Sequence, residues 1–129
     1  MANAKCRILC IDDHKDSADM LMLLLSQEDY EVVTATTIQE ALQLATTGNF
    51  DLYVLDRRLP DGTGIELCRQ LNDATPGVPC IFYTGDAYEL HRHEAMEAGA
   101  DAYISKPDVE TLIEAVAKLL SENECAAAG

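Results

Sequence analysis

Apolar and polar segments alternate along the chain in a repeating order. Short apolar runs centre on residues 8–11, 31–35, 52–55, 80–84 and 102–104, and each is followed by a segment with helical periodicity. The five predicted helices span about 16–28, 37–48, 65–71, 87–98 and 109–120. Most of the runs lack the alternation of a half-buried strand, as expected when both faces of a sheet are covered. The pattern therefore predicts a parallel sheet with helices on both sides.

The predicted fold is a doubly wound, flavodoxin-like α/β domain with five strands and five helices. The second run, 31–35, is the most polar, which fits an edge strand and a strand order of 2-1-3-4-5. Thr37 and Glu40 have the spacing of a capping box at the start of the second helix, and Gly48 is placed to end it. Asp108 is predicted to cap the last helix, and residues 60–64 are predicted to form a loop.

Length and charge limit the functional classes. The 129 residues suit one domain, predicted over 1–122 with a short tail at 123–129. A net charge of −14 argues against binding to a nucleic-acid backbone, which requires a basic surface. We find no apolar segment long enough to enter a membrane. Five cysteines, an odd number without disulfide spacing, favour a reducing cytoplasm over secretion.

Polar side chains follow four of the five predicted strands. They are Asp12 and Asp13, then Asp56, then Thr84, then Lys106. In the proposed strand order these four strands are contiguous, so their carboxyl ends bring the side chains together at the usual ligand edge of such a sheet. Three clustered carboxylates repel one another, and a divalent cation such as Mg²⁺ (or Mn²⁺) removes that conflict. A lysine beside them can hold a phosphoryl oxygen, and an aspartate can be a phosphoryl acceptor.

These motifs resemble those of the receiver domain of two-component response regulators. The resemblance runs from Ile8 to about Leu120 and rests on four motifs in the same order: 12–13, 56 with 59–62 beyond it, 84–85, and 106–107. It implies a stand-alone phospho-accepting signalling domain rather than a conventional enzyme, one that catalyses only its own phosphorylation and dephosphorylation. The implied partners are a sensor histidine kinase or a phosphotransfer protein, and a downstream target protein.

The resemblance also assigns roles at the metal site. Asp56 matches the phosphoacceptor, and Asp13 and Asp56 match direct metal ligands. The backbone carbonyl of Arg58 matches a third ligand, and Asp12 matches an acid that acts through water. Lys106 matches the lysine that pairs with the phosphoryl group.

Further matched positions concern the conformational switch. Thr84 matches the hydroxyl that moves to the phosphoryl group, and Tyr103 matches the aromatic residue that turns inward behind it. The bond between Lys106 and Pro107 is usually cis in the family. In the family the shift re-forms a partner-binding surface on the fourth helix, fifth strand and fifth helix.

The sequence departs from the family at the edge of the site. Gly85 stands where the family most often has Ala, and Arg58 is a long cation at a variable position. Asp86 is close enough in sequence to Thr84 to reach Arg58 across the pocket mouth. We hypothesise that the pair of Arg58 and Asp86 modulates the lifetime of the phosphoryl group.

Two other functions compete with phosphoryl acceptance. The chain could be an interaction module that keeps the receiver fold without the chemistry, although its complete set of acidic residues, Thr84 and Lys106 argues against this. A flavodoxin-like electron carrier is a second alternative, but Asp12 and Asp13 would repel a flavin phosphate after the first strand. The sequence also leaves open whether the chain is a relay intermediate, an independent effector or a fragment of a hybrid kinase.

Overall fold

The computed structural model describes residues 6–85 and 88–122. Its main sheet has five parallel strands in the order β2-β1-β3-β6-β7, which is the predicted order of the five apolar runs. The strands are β1 (Arg7–Ile11), β2 (Glu31–Ala35), β3 (Leu52–Leu55), β6 (Cys80–Thr84) and β7 (Ala102–Ser105). The helices are α1 (Lys15–Gln27), α2 (Ile38–Gly48), α3 (Gly64–Ala74), α4 (Glu89–Glu97) and α5 (Val109–Glu122). The predicted fold class is confirmed.

Helices cover both faces of the sheet. On one face, Leu9 and Ile11 of β1 pack in a core with α2, α3 and α4. On the other, Ile8 and Cys10 of the same strand pack with α1 and α5. This burial on both sides explains the continuous apolar runs of the inner strands. Among the described residues, every helix is too short or too polar to cross a lipid bilayer.

The predicted loop at 60–64 contains more structure than its composition indicates. Strands β4 (Arg58–Leu59) and β5 (Gly62–Thr63) form a small antiparallel hairpin directly after β3. Thr63 then begins α3 with a capping box, because its hydroxyl accepts from the backbone N–H of Glu66 and the Glu66 carboxylate accepts from that of Thr63. A threonine followed three residues later by a glutamate is the sequence signature of a capping box, and Thr63 and Glu66 have this spacing.

The hairpin also fixes the start of α2. The carboxylate of Asp61 accepts from the backbone N–H of Ile38 at 2.8 Å and from that of Gln39 at 3.1 Å. Thr37 caps the same helix, as predicted, by accepting from the Glu40 backbone N–H. The reciprocal half of the predicted capping box is shifted by one residue, because the Glu40 carboxylate accepts from the Thr36 N–H.

Acid should release the contact between the hairpin and α2. The hydrogen bond from Ile38, more than any other contact, holds the pKa of Asp61 below its ordinary value of 3.8. A depressed pKa in the folded state gives stability that is present above pH 3.8 and is lost as the pH falls through the folded-state pKa. We therefore expect Asp61→Asn to lower the urea midpoint at pH 6, and expect the difference from wild type to shrink below pH 3.8. A pH-independent difference would contradict this account.

The cysteines only partly match their prediction. Cys10, Cys68 and Cys80 are free and buried, as expected of small core residues. Burial, with a further contribution from the charge of Asp12, raises the pKa of the Cys10 thiol to about 12, so this thiol is not a reactive group at neutral pH. Cys6 is disulfide-bonded, a pairing that the spacing of the cysteines did not predict.

Candidate phosphoryl-acceptor and metal site

Three polar side chains are buried at the carboxyl edge of the sheet. Asp12 directly follows β1, Asp56 directly follows β3 and Thr84 ends β6; their exposed fractions are 2%, 9% and 3%. Each lies in a strand or directly after one, and β1, β3 and β6 are neighbours in the sheet. Buried carboxylates are rare without a charged partner. These buried polar side chains therefore indicate a functional site at this edge of the sheet rather than a solvent-exposed turn.

Lys106 is the charged partner of both buried acids. Its Nζ donates to Asp12 Oδ2 at 2.9 Å and lies 3.5 Å from Asp56 Oδ2. Burial alone would lower the pKa of Lys106, but the hydrogen bond to Asp12 and the negative charge of Asp56 more than compensate and raise it above its ordinary value. Lys106 is therefore a fixed cation at neutral pH, directed at the carboxylate of Asp56.

Asp13 and His14 complete the acidic side of the site. Asp13 is more exposed than Asp12, and its Oδ1 lies 3.1 Å from Nδ1 of the His14 imidazole. The same Nδ1 lies 3.4 Å from Asp12 Oδ1, which also accepts from the His14 backbone N–H at 2.9 Å. Sequence reasoning missed His14, although its position directly after two acidic residues was a usable signal.

This donor set is suited to a divalent cation. One ligand atom from each of Asp12, Asp13, His14 and Asp56 can be chosen so that all four lie within 4.8 Å of one another. Carboxylate oxygens are the ligands that Mg²⁺ prefers, and Mg²⁺ usually binds only one or two of them and keeps several waters. Lys106 is in ion-pair contact with Asp12 and Asp56, which leaves the carboxylate of Asp13 for a metal ion to neutralise. The residues present therefore fit the predicted metal.

An open cavity of about 540 Å³ gives access to the site. Asp56, Thr84 and Lys106 contribute to its lining, and the rest comes from Asp13, His14, Ser17, Arg57, Arg58 and Gly85. The volume exceeds the needs of a lone ion and leaves room for a phosphoryl group. Arg58 is exposed at this cavity, as the hypothesis about the pocket mouth requires. Its predicted partner, Asp86, lies outside the described residues.

Of the two predicted switch residues, Thr84 lines the cavity and Tyr103 lies on the neighbouring strand. Tyr103 of β7 is buried and stacks on Phe82 of β6, with ring centroids 5.9 Å apart. The side chain of Arg92 on α4 donates to the backbone carbonyl of Tyr103 at 3.2 Å, which links α4 to β7. The peptide bond between Lys106 and Pro107 is cis. The roles of Tyr103 and Thr84 in a conformational change stay predictions.

The backbone of Asp56 is packed against the start of α3. A Cβ atom at Gly64 would lie 2.1 Å from the carbonyl oxygen of Asp56 and 2.9 Å from the Phe82 ring. Only glycine permits this approach, which lets α3 begin beside the carboxyl end of β3. The Gly64 N–H also donates to the backbone carbonyl of Arg57 at 2.7 Å, so both ends of the hairpin segment are in direct contact.

Gly64→Ala should destabilise the domain by about 1–3 kcal/mol, because the new methyl group displaces the Asp56 backbone. Gly85→Ala is the matched control: a Cβ at Gly85 meets nothing within 4 Å, and the expected change is within about 0.5 kcal/mol. Urea unfolding of both variants measures the difference. Equal stability of the two variants would show that the close approach at Gly64 is not limiting.

Comparison with known proteins now identifies the family. The family model of the response regulator receiver domain matches residues 8–117. The chain belongs to the response regulator receiver family. Among solved structures, the non-phosphorylated HemR receiver domain from Leptospira biflexa is 35% identical, with a TM-score of 0.83 over 91% of this chain and 95% of that one. A CheY-like receiver protein from Methanospirillum hungatei is 34% identical, with a TM-score of 0.84 over 98% of this chain and 100% of that one.

A ligand-bound response regulator structure and longer regulatory proteins are also similar to this chain. TrrA from Thermotoga maritima, solved in complex with Mg²⁺ and beryllofluoride, is 34% identical, with a TM-score of 0.81 over 89% of this receiver and 99% of that chain. The transcriptional regulatory protein PhoP of Bacillus subtilis is 38% identical over 101 residues, which are 78% of this chain and 42% of PhoP. This receiver thus spans less than half the length of the curated relatives it matches.

Proposed function

We propose that this receiver accepts a phosphoryl group onto Asp56 in a reaction that depends on a divalent cation, Mg²⁺ or Mn²⁺. The observation that carries the proposal is the position of Asp56: a largely buried carboxylate on an open cavity, 3.5 Å from the ammonium of Lys106 and grouped with Asp12 and Asp13. Mg²⁺ in the TrrA complex with beryllofluoride supports the same choice of metal.

The proposed donor is a phosphohistidine of a sensor kinase or of a phosphotransfer protein. A carboxylate oxygen of Asp56 forms a bond to phosphorus while the bond from phosphorus to the donor imidazole nitrogen breaks, and the imidazole leaves with that electron pair and takes up a proton. Lys106 holds its positive charge beside the oxygens of the transferred group, where it offsets their negative charge. A bound divalent cation supplies further charge neutralisation and orientation of the phosphoryl oxygens.

The ligand roles follow from the placement of the acids. We assign direct contacts with the metal to Asp13 and Asp56, and a contact through water to Asp12, because the Asp12 carboxylate is already used by Lys106 and by the His14 backbone N–H. The backbone carbonyl of Arg58, in the hairpin after Asp56, is the proposed third protein ligand.

We assign residues 1–122 to the receiver domain and residues 123–129 to a short C-terminal tail.

The output is a change of the surface that partners bind. Thr84 is buried at the end of β6 and lines the same cavity as Asp56, and we assign to its hydroxyl the movement toward a phosphoryl group on Asp56. Tyr103 lies on the neighbouring strand and is linked to α4 through Arg92. Movement of these residues would alter α4, β7 and α5, where a downstream target protein is proposed to bind.

We propose that this signalling domain acts in the cytoplasm, together with its phosphohistidine donor. Its catalysis is limited to its own phosphorylation and dephosphorylation. Membership of the receiver family and the cluster of acidic residues at the edge of the sheet both argue against a flavodoxin-like electron carrier. The remaining alternative is an interaction module that has the fold but no phosphoryl chemistry.

Acetyl phosphate separates these two functions. The full chain, incubated with acetyl phosphate and Mg²⁺, should gain one phosphoryl group by intact mass, and chelation of the metal with EDTA should prevent the gain. Omission of acetyl phosphate is the matched blank. Absence of any gain, in protein that binds Mg²⁺ and is folded by circular dichroism, would favour the interaction module.

A further inference from the structure

We propose that His14 is a ligand of the divalent cation at this site, and that it shifts the metal preference away from Mg²⁺ toward transition ions that bind imidazole, such as Ni²⁺. The inference rests on the proposed function, since it concerns the same metal site. It adds a nitrogen ligand to a set that otherwise contains only oxygen. His14 is thereby a residue that determines which metal the receiver uses.

The imidazole is directed at the acids rather than at the helix it precedes. His14 occupies the N-cap position of α1, where Ser, Thr, Asp or Asn usually accepts a hydrogen bond from the helix. Its side chain makes no such capping hydrogen bond. Instead, Nδ1 lies near one oxygen of Asp13 and one of Asp12, although 72% of the side chain is exposed to solvent. The ring is therefore accessible and on the acidic side of the cavity.

The spacing of these atoms is that of ligands sharing one ion. Two ligands at about 2.1 Å from a common ion are about 3.0 Å apart at the right angle of an octahedron and about 3.4 Å apart at a tetrahedral angle. His14 Nδ1 lies 3.1 Å from Asp13 Oδ1, the proposed direct ligand, and 3.4 Å from Asp12 Oδ1, whose proposed contact with the ion is through water. Little rearrangement of His14 and Asp13 is needed for both to reach one cation.

The chemistry of the added ligand sets the expected selectivity. Mg²⁺ prefers oxygen ligands and keeps its waters, so an imidazole adds little to its binding. Affinity for nitrogen-containing sites rises from Mn²⁺ through Co²⁺ to Ni²⁺, and imidazole suits Ni²⁺, Cu²⁺ and Zn²⁺. Removal of His14 should therefore weaken the binding of Ni²⁺ far more than that of Mg²⁺.

Calorimetric titration of the untagged full chain with NiCl₂ and with MgCl₂ tests the inference. For His14→Gln we expect the Kd for Ni²⁺ to rise about 10-fold or more, and the Kd for Mg²⁺ to change less than about threefold. The matched control is His93→Gln, because His93 on α4 is also exposed and its Nε2 lies 3.5 Å from Glu97, yet it is not among the residues lining the cavity. The control should bind both ions as wild type does.

A spectroscopic readout separates ligation from a structural effect. Pulsed electron paramagnetic resonance of Mn²⁺-loaded protein should show ¹⁴N coupling in wild type and in His93→Gln, and none in His14→Gln. Unchanged Ni²⁺ affinity in His14→Gln, or an equal loss for Ni²⁺ and Mg²⁺, would overturn the assignment of His14 while leaving phosphoryl acceptance in place. A wild-type chain that binds neither ion and gains no phosphoryl group would overturn the proposed function as well.

Discussion

Asp56→Asn should abolish phosphoryl uptake from acetyl phosphate, whereas the protein should stay folded. The amide has nearly the volume of the carboxylate and keeps an oxygen that can accept from the Arg57 backbone N–H, as Asp56 Oδ1 does at 2.7 Å. It lacks the anionic oxygen that would attack phosphorus. The loss should be complete within the detection limit of intact mass spectrometry, because Asp56 is the acid placed both on the cavity and beside Lys106.

Asp51→Asn is the matched control for Asp56→Asn. Asp51 and Asp56 flank β3 at opposite ends, and one carboxylate oxygen of Asp51 accepts from the Arg7 backbone N–H at 2.8 Å. The control therefore removes the same charge beside the same strand, but away from the cavity. It should take up phosphoryl groups as wild type does. Uptake by folded Asp56→Asn at the wild-type rate would contradict the role of Asp56.

Lys106→Met has the second largest expected effect. The variant keeps an unbranched apolar stem but removes the ammonium that contacts Asp12 at 2.9 Å and Asp56 at 3.5 Å. Loss of one preorganised donor to the transferring group typically costs about 10²–10³-fold in rate. We therefore expect uptake from acetyl phosphate, followed as a time course at saturating Mg²⁺, to slow by about 10²-fold or more.

Lys106→Met should also lower stability when no metal is present. Asp12 is 2% exposed and would lose its charged partner, which should cost about 1–3 kcal/mol of unfolding free energy in EDTA. If Mg²⁺ binds the folded state at this site, as proposed, its addition should restore part of this loss. Lys118→Met, at an exposed position on α5, is the control and should change neither property. Wild-type uptake by Lys106→Met would show that the lysine does not act on the phosphoryl group.

The fold was predictable because its signals are local and repeated. Each apolar run marks a strand buried on both faces, and the five-fold repeat with short connections allows few topologies. The hairpin of β4 and β5 was not predicted because its strands contain two residues each, too few for a periodic pattern. Its stability comes instead from distant contacts, such as those of Asp61 with the start of α2, which local sequence does not reveal.

The site was predictable because its position follows from the topology of the sheet. Strand ends in a parallel sheet meet at one edge, so Asp12, Asp56 and Lys106 were expected together, and the structure places them within contact distance. His14 was missed because the direction of a side chain that follows a strand depends on the local backbone, and residue order does not specify it. The close approach of Gly64 to Asp56 was equally hidden, since it depends on the packing of α3 against β3.

The position of the phosphoryl group tests the central claim most directly. The chain would be treated with acetyl phosphate and Mg²⁺, reduced with borohydride to convert an aspartyl phosphate into the corresponding alcohol, digested, and sequenced by tandem mass spectrometry. The account predicts the reduced product at Asp56 and at no other carboxylate, and predicts its absence when EDTA replaces Mg²⁺. A product at Asp12 or Asp13, or a phosphoryl group on His14, would contradict the account.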